Sequence, residues 1–303
     1  MKLAIPPYLK PGDTIGIICP ASFMPAEKVQ SAINVFQDWG FKVTTGITLG
    51  KQNNYFSGSD SERLSDLQQM MDDESINAIF CARGGYGTGR IIERVDFKKF
   101  RKYPKWIIGF SDITVLHCHL YANYRIATIH APMASAFNDG QHSNEFVQSL
   151  HEALHGEKGN YEVAPHPFNK HGSIKGTLVG GNLSLLAHLV GTSSEIDTKG
   201  KILFLEDVGE YIYNVDRMLY QLKRSGQFDH LKGLIVGGFT EMKDTEIPFG
   251  QTVEEVIRDS IKDYSFPVCF SFPVSHEKEN YALKIGLRYK LSINDNKTTL
   301  KEL

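Results

Sequence analysis

Short apolar runs and helical patterns alternate through the first half of the chain. Thr14 to Cys19, apolar from Ile15 onward, follows the turn Lys10-Pro11-Gly12-Asp13 and reads as a buried strand. From Pro25 to Trp39 the positions Val29, Ala32, Ile33 and Phe36 fall at helical core spacing, and Gly40 ends the pattern. Phe41 to Thr44 predicts a second strand. Ser61 to Asp72 predicts a helix with Leu64, Leu67 and Met71 on its inner stripe, and Ala78 to Cys81 a third strand running into a glycine-rich turn. Arg90 to Phe100 reads as mostly helical, Trp106 to Phe110 as a fourth strand, and Asp112 to Tyr124 as the helix after it. Strands alternating with helices imply βαβ crossovers and a parallel sheet covered on both faces. In such sheets chemistry gathers at the carboxyl ends of the strands.

Asn144 to His155 predicts one more helix, after which the pattern loosens. Residues 157–172 are rich in Gly, Pro, His, Asn and Lys with little periodicity, so the junction is expected there. One domain then spans 1–156 and a second spans 173–303. The second shows strands at Gly176 to Asn182, Lys201 to Asp207, Gly233 to Phe239, Val268 to Phe272 and Lys284 to Leu291. Its helices are expected at Leu183 to Val190, Asn214 to Ser225 and Val253 to Asp263. The expected fold class is α/β: an N-terminal parallel-sheet domain and a smaller C-terminal α/β domain.

With 303 residues, 41% hydrophobic and 22% charged, the chain has an ordinary globular composition. Lys plus Arg (33) nearly balance Asp plus Glu (35), so nothing points to nucleic acid or an anionic membrane as partner. Cys19, Cys81, Cys118 and Cys269 are scattered without a C-x-x-C pair, as expected of reduced thiols in the cytoplasm. The first residues lack a long apolar segment, so no signal peptide is expected, and no apolar run approaches the length of a membrane span.

The candidate chemistry begins at Gly109-Phe110-Ser111-Asp112. A β-prone run stops there and a helical pattern starts at once, the layout of a sharp strand-to-helix turn. A serine so placed can act as a nucleophile, with the unpaired N–H groups of the helix start stabilising an oxyanion. Ser111 or Asp112 could equally be a helix cap. Arg83-Gly84-Gly85-Tyr86-Gly87-Thr88-Gly89 has neither the G-x-G-x-x-G register nor the Lys-Ser/Thr pair of a phosphate loop. Its glycines suit a nest of converging N–H groups for an oxyanion or a carboxylate, or a tight turn without ligand. Glu206 and Asp207 end an apolar strand, where a carboxylate needs a partner; Arg217 or a helix terminus could supply one. Successive strand residues face opposite ways, so only one of the two can face a site. His276 lies in a polar loop, solvated or acting as a proton acceptor. His117 and His119 are two apart on a predicted helix and cannot chelate one ion, and Cys118 sits too far into that helix to be a nucleophile. Neither a metal nor a cofactor is expected.

Taken in order, these pieces resemble the LD-carboxypeptidase family of serine peptidases, which includes muropeptide tetrapeptidases and microcin C self-immunity peptidases. The resemblance rests on Leu9-Lys10-Pro11-Gly12-Asp13, Ala82 to Gly87, Gly109 to Asp112, Gly180-Gly181-Asn182-Leu183, Leu203 to Asp207, Asp216-Arg217-Met218-Leu219, and His276 with Asn280. It implies a flavodoxin-like, three-layer first domain bearing the nucleophile, a second domain bearing Glu and His, and a homodimer. It also implies Ser111 as nucleophile, His276 as general base and Glu206 as the group orienting the imidazole. Backbone N–H groups of Gly85 and Asp112 would form the oxyanion hole, with Arg83, Gly84 and Tyr86 binding a peptide substrate. Ser275 and Ala131 stand where the family often has glycine. The implied activity releases terminal D-alanine from murein tetrapeptides in cell-wall recycling. The alternatives are cleavage of aminoacyl or peptidyl nucleotide analogues, with Tyr211 and Tyr213 available as a base platform, or silent binding of muropeptides.

Overall fold

The computed structural model describes residues 2–138, 140 and 143–303. The chain divides into two compact units, Met1–Glu157 with Tyr281–Lys284, and Lys158–Asn280 with Ile285–Leu303. The first unit contains strands β1 (Thr14–Ile18), β2 (Lys42–Thr45), β3 (Ala78–Cys81), β4 (Trp106–Gly109) and β5 (Thr128–His130). Its helices are α1 (Gln30–Asp38), α2 (Asp60–Asp72), α3 (Lys98–Lys102), α4 (Thr114–Tyr124) and α5 (Glu145–His155). The second unit contains β6 (Asn160–Val163), β7 (Gly172–Asn182), α6 (Leu183–Leu189), β8 (Lys201–Val208), α7 (Ile212–Arg224), β9 (Gly233–Thr240), α8 (Val253–Ser260) and β10 (Val268–Cys269). Three strands follow: β11 (Leu283–Ile285), β12 (Arg288–Ile293) and β13 (Thr298–Glu302).

The first sheet runs β2-β1-β3-β4-β5-β11. Pairs from β2 through β5 are parallel, the flavodoxin-like order. Right-handed crossovers leaving β1 in opposite directions put helices on both faces. The central strands β3 and β4 are therefore buried at every position, whereas edge strand β2 is mostly exposed. The second sheet is mixed. β7, β8, β9 and β10 are parallel, and β7-β12-β13-β6 are antiparallel. On this sheet α7 packs against both α6 and α8.

Several elements differ from the sequence expectation, each for a local reason. Arg90 to Phe100 forms two 3-10 turns before the short α3. The Gln68 side chain bonds both the N–H (2.8 Å) and the C=O (2.9 Å) of Asp96, and Asp96 accepts from Lys98 N–H, so the backbone there is committed to tertiary partners. α2 starts one residue early, at Asp60, because Ser59 and Glu62 form a capping box. The expected junction 157–172 contains β6, which pairs with β13. The single strand expected at Lys284 to Leu291 is two: β11 completes the first sheet, and β12 enters the second after a turn at Gly286 (φ +91°).

Candidate active site

In the first unit, β4 ends at Gly109, whose φ of +152° suits only glycine. A Cβ there would lie 3.0 Å from Ile113 Cγ1 and 3.2 Å from Cys81 Cβ. Ser111 follows with φ +63°, left-handed backbone that costs a non-glycine residue roughly 1–2 kcal/mol. A 3-10 turn, Ser111–Ile113, then leads into α4. Neither Ser111 nor Asp112 caps that helix with its side chain. The buried Asp112 carboxylate instead accepts the Thr88 N–H at 2.8 Å, which ties the serine turn to the glycine turn. His117 Nε2–H donates to the Gly109 carbonyl at 2.8 Å, and burial pushes its pKa down to about 4, so this imidazole stays neutral and holds the strand end. Cys118 is an inert buried thiol, pushed up to about 12 by desolvation. Among the described residues no group of three or more His, Cys, Asp or Glu side chains is placed to hold a metal ion.

The glycine turn leaves the end of β3 and lies against Ser111. A Cβ on Gly84 would sit 3.0 Å from Ser111 Cβ and 3.2 Å from Asp112 N, so only glycine allows the two turns this close. Gly85 has φ +93°, and a Cβ there would fall 2.3 Å from Ser22 Oγ. Ser22 clasps this turn: its N–H (3.2 Å) and its hydroxyl (2.6 Å) both donate to the Gly84 carbonyl. Arg83 donates from Nη1 to the Phe23 carbonyl at 3.0 Å. It lines a polar cavity of about 740 Å³ with Glu27, Lys28, Ser31 and Ser135. Tyr86 is half exposed, its ring 6.0 Å from Phe56.

In the second unit, β8 carries Glu206 and Asp207, both fully buried. Their side chains go to different partners. Glu206 Oε2 lies 2.7 Å from His276 Nδ1, while Arg217 bonds Asn214. Asp207 accepts from Asn182 Nδ2 (2.9 Å) and from the N–H groups of Ser184 (2.9 Å) and Val208 (2.8 Å), and so anchors the start of α6. Burial and the Glu206 charge push the Asp207 pKa up to about 6. Leu205 pairs with Val236 and Asp207 with Phe239, so Gly237 and Gly238 together stand opposite Glu206 in an irregular register. A Cβ on Gly237 would lie 2.2 Å from the Val274 carbonyl and 3.3 Å from Glu206 Cβ; one on Gly238 would lie 2.4 Å from Ser275 Cβ. The paired glycines thus let the histidine loop lie flat on β9. Ser275 braces that loop, donating to the Glu279 carbonyl at 3.0 Å and accepting from Glu277 N–H at 3.0 Å.

The His276–Glu206 bond fixes the imidazole with its proton on Nδ1, leaving Nε2 to accept one. Burial acts to lower the His276 pKa. The hydrogen bond to Glu206, with the charges of Glu206, Asp207 and Glu241, outweighs it and raises the pKa above the ordinary value. The first unit therefore gathers Ser111, Asp112, Gly84 and Gly85, and the second gathers Glu206 and His276. The sequence reading missed Ser22 and Arg63. Arg63 had a signal: with Leu67 and Met70 it follows the i, i+4, i+7 spacing of the buried face of α2.

The LD-carboxypeptidase N-terminal domain matches residues 15–131, and the LD-carboxypeptidase C-terminal domain matches residues 175–291. A probable murein peptide carboxypeptidase of Bacillus subtilis (strain 168) is 37% identical over 93% of this chain and 90% of its own length. The crystal structure of muramoyltetrapeptide carboxypeptidase from Oxalobacter formigenes superposes with a TM-score of 0.87 at 30% identity, covering 95% of this chain and 98% of that one. A microcin C7 self immunity protein superposes with a TM-score of 0.87 at 23% identity, covering 99% of each chain, a likeness of fold.

Proposed function

The chain belongs to the LD-carboxypeptidase family, and on that premise we propose that it is a serine peptidase releasing the terminal D-alanine of murein tetrapeptides. The observation that carries the reading is the 2.7 Å bond between His276 Nδ1 and buried Glu206. A fully buried carboxylate on an imidazole selects the tautomer that a serine hydroxyl needs as its base.

In this reading Ser111 Oγ attacks the carbonyl of the L-centre, and His276 Nε2 takes the hydroxyl proton. Glu206 stabilises the imidazolium that forms. The N–H groups of Gly85 and Asp112 receive the oxyanion. The tetrahedral adduct collapses with transfer of the imidazolium proton to the amine of D-alanine, which departs. Water, deprotonated by the same imidazole, then hydrolyses the acyl-enzyme. No step of this relay calls for a metal or cofactor. Arg83, Gly84 and Tyr86 contact the substrate, with the Arg83 guanidinium suited to a carboxylate.

The enzyme works in the cytoplasm on recycled wall fragments, as a homodimer. All four cysteines are buried free thiols, in keeping with a reducing compartment. Among the described residues no helix is long and apolar enough to cross a membrane.

Ser111→Ala is expected to abolish D-alanine release from a murein tetrapeptide while leaving the circular dichroism spectrum unchanged; surviving turnover removes the serine from the mechanism. One observation favours a second substrate class. Tyr211 and Tyr213 stack at 5.4 Å and are both exposed, a surface able to take a nucleobase. Parallel assays with a tetrapeptide and an aminoacyl sulfamoyl nucleoside separate the two.

A further inference from the structure

Arg63 is fully buried on the inner face of α2. Its guanidinium spans two loops at the carboxyl ends of neighbouring strands. Nη1 donates to the Pro20 carbonyl (2.6 Å), beyond β1, and to the Gly87 carbonyl (2.9 Å), beyond β3. Nη2 pairs with Asp60, which also holds Arg90, and the guanidinium carbon lies 4.9 Å from the Phe56 ring centroid. Gly87 has φ +145°, and a Cβ there would sit 2.8 Å from Nη1, so the turn is shaped to let the guanidinium in.

From Gly87 the connection runs straight to the serine turn. The next residue, Thr88, donates its N–H to Asp112, and Asp112 follows Ser111. At the other end of the glycine turn, the Ser22 hydroxyl holds the Gly84 carbonyl. Arg63 and Ser22 thus grip the turn on both sides of Gly85. A guanidinium buried this completely carries a desolvation penalty that an apolar side chain beside Leu67 and Met70 would avoid. What the apolar residue would not supply is a fork joining two loop carbonyls.

We propose that Arg63, with Ser22, is a positioning residue that sets the Gly85 and Asp112 N–H groups at the spacing an oxyanion requires. The proposal rests on the reading of Ser111 as nucleophile. Neither side chain touches the substrate; both act by fixing backbone donors in advance, so their contribution falls on the transition state and not on ground-state binding.

The test uses the full chain and a murein tetrapeptide, below the unfolding midpoint of each variant. Arg63→Met is expected to lower kcat about 10²-fold with KM nearly unchanged, the scale of a donor displaced by about 1 Å. Arg63→Lys, which keeps the charge but not the fork, should fall between Arg63→Met and wild type. Calorimetric tetrapeptide binding should be the same for Ser111→Ala and Ser111→Ala/Arg63→Met. Ser22→Ala loses a single hydroxyl and should also lower kcat alone, by about 10-fold; it carries the test where Arg63 variants do not fold. Unchanged kcat in folded Arg63→Met or in Ser22→Ala, or a loss of binding that parallels the loss of kcat, overturns the proposal. Turnover surviving in Ser111→Ala is a different result, which withdraws the serine reading itself.

Discussion

His276 and Ser111 are held in place by different physics. Ser111 is held by backbone: left-handed φ at +63°, between a glycine-only bend and the first turn of a helix. His276 is held by a charge-assisted bond to Glu206 inside the protein. That bond has a measurable consequence. In the proposed role of general base His276 would work when neutral, and its pKa is raised above the ordinary imidazole value. The acid limb of kcat/KM should therefore lie above about pH 6.5, with activity lost as pH falls through it. Glu206→Gln removes the main source of the rise, so the limb should move to lower pH, and kcat should fall on the order of 10⁴-fold with the tautomer no longer fixed. A limb that stays in place in Glu206→Gln would argue against His276 as the base. The serine turn was legible because Gly-x-Ser-Asp sits where a strand pattern meets a helical one. Arg63 and Asp66, both buried on α2, were harder to read: a charged residue on an amphipathic helix is ordinarily assigned to solvent, which outweighs the spacing signal at Arg63 until the partners are seen.

At the scale of elements, α2 matters beyond its length because it presents Arg63 inward. Its start is fixed by reciprocal bonds, Ser59 N–H to Glu62 Oε2 at 2.8 Å and Glu62 N–H to Ser59 Oγ at 3.3 Å. Ser59→Ala should destabilise the first unit by about 1 kcal/mol. Both tryptophans, Trp39 and Trp106, lie in that unit, so urea unfolding followed by tryptophan fluorescence reads it separately from the second. An unchanged midpoint would show that the cap does not carry the helix start. The central strands were read well because burial on both faces leaves continuous apolar runs. Three-residue β5 is too short to display a period, and the helical pattern expected from Arg90 to Phe100 is interrupted at Asp96, whose backbone N–H and C=O are both bonded to Gln68.

For the whole molecule, a near-neutral charge and a mass of 34.0 kDa make the proposed homodimer simple to check. Sedimentation at assay concentration should give about twice the chain mass; a monomer at that concentration removes the dimer from the proposal. The sequence by itself determined the alternation of strands and helices, the strand-end turn at Ser111, and the family, whereas the strand expected to turn at Glu206 runs on to Val208. Those features are written in contiguous residues, where periodicity and turn chemistry act locally. The meeting of Glu206 with His276, seventy positions away, was implied by the family resemblance and is made by the tertiary structure, which alone decided that Asp207 turns instead to Asn182 and that Arg63 reaches Gly87. Tertiary structure also decided that the chain after Asn280 gives β11 to one sheet and β12 and β13 to the other. The physical reason is common to all of them: each partnership is between groups distant in the chain, chosen by which buried donor and acceptor the packed core leaves to one another.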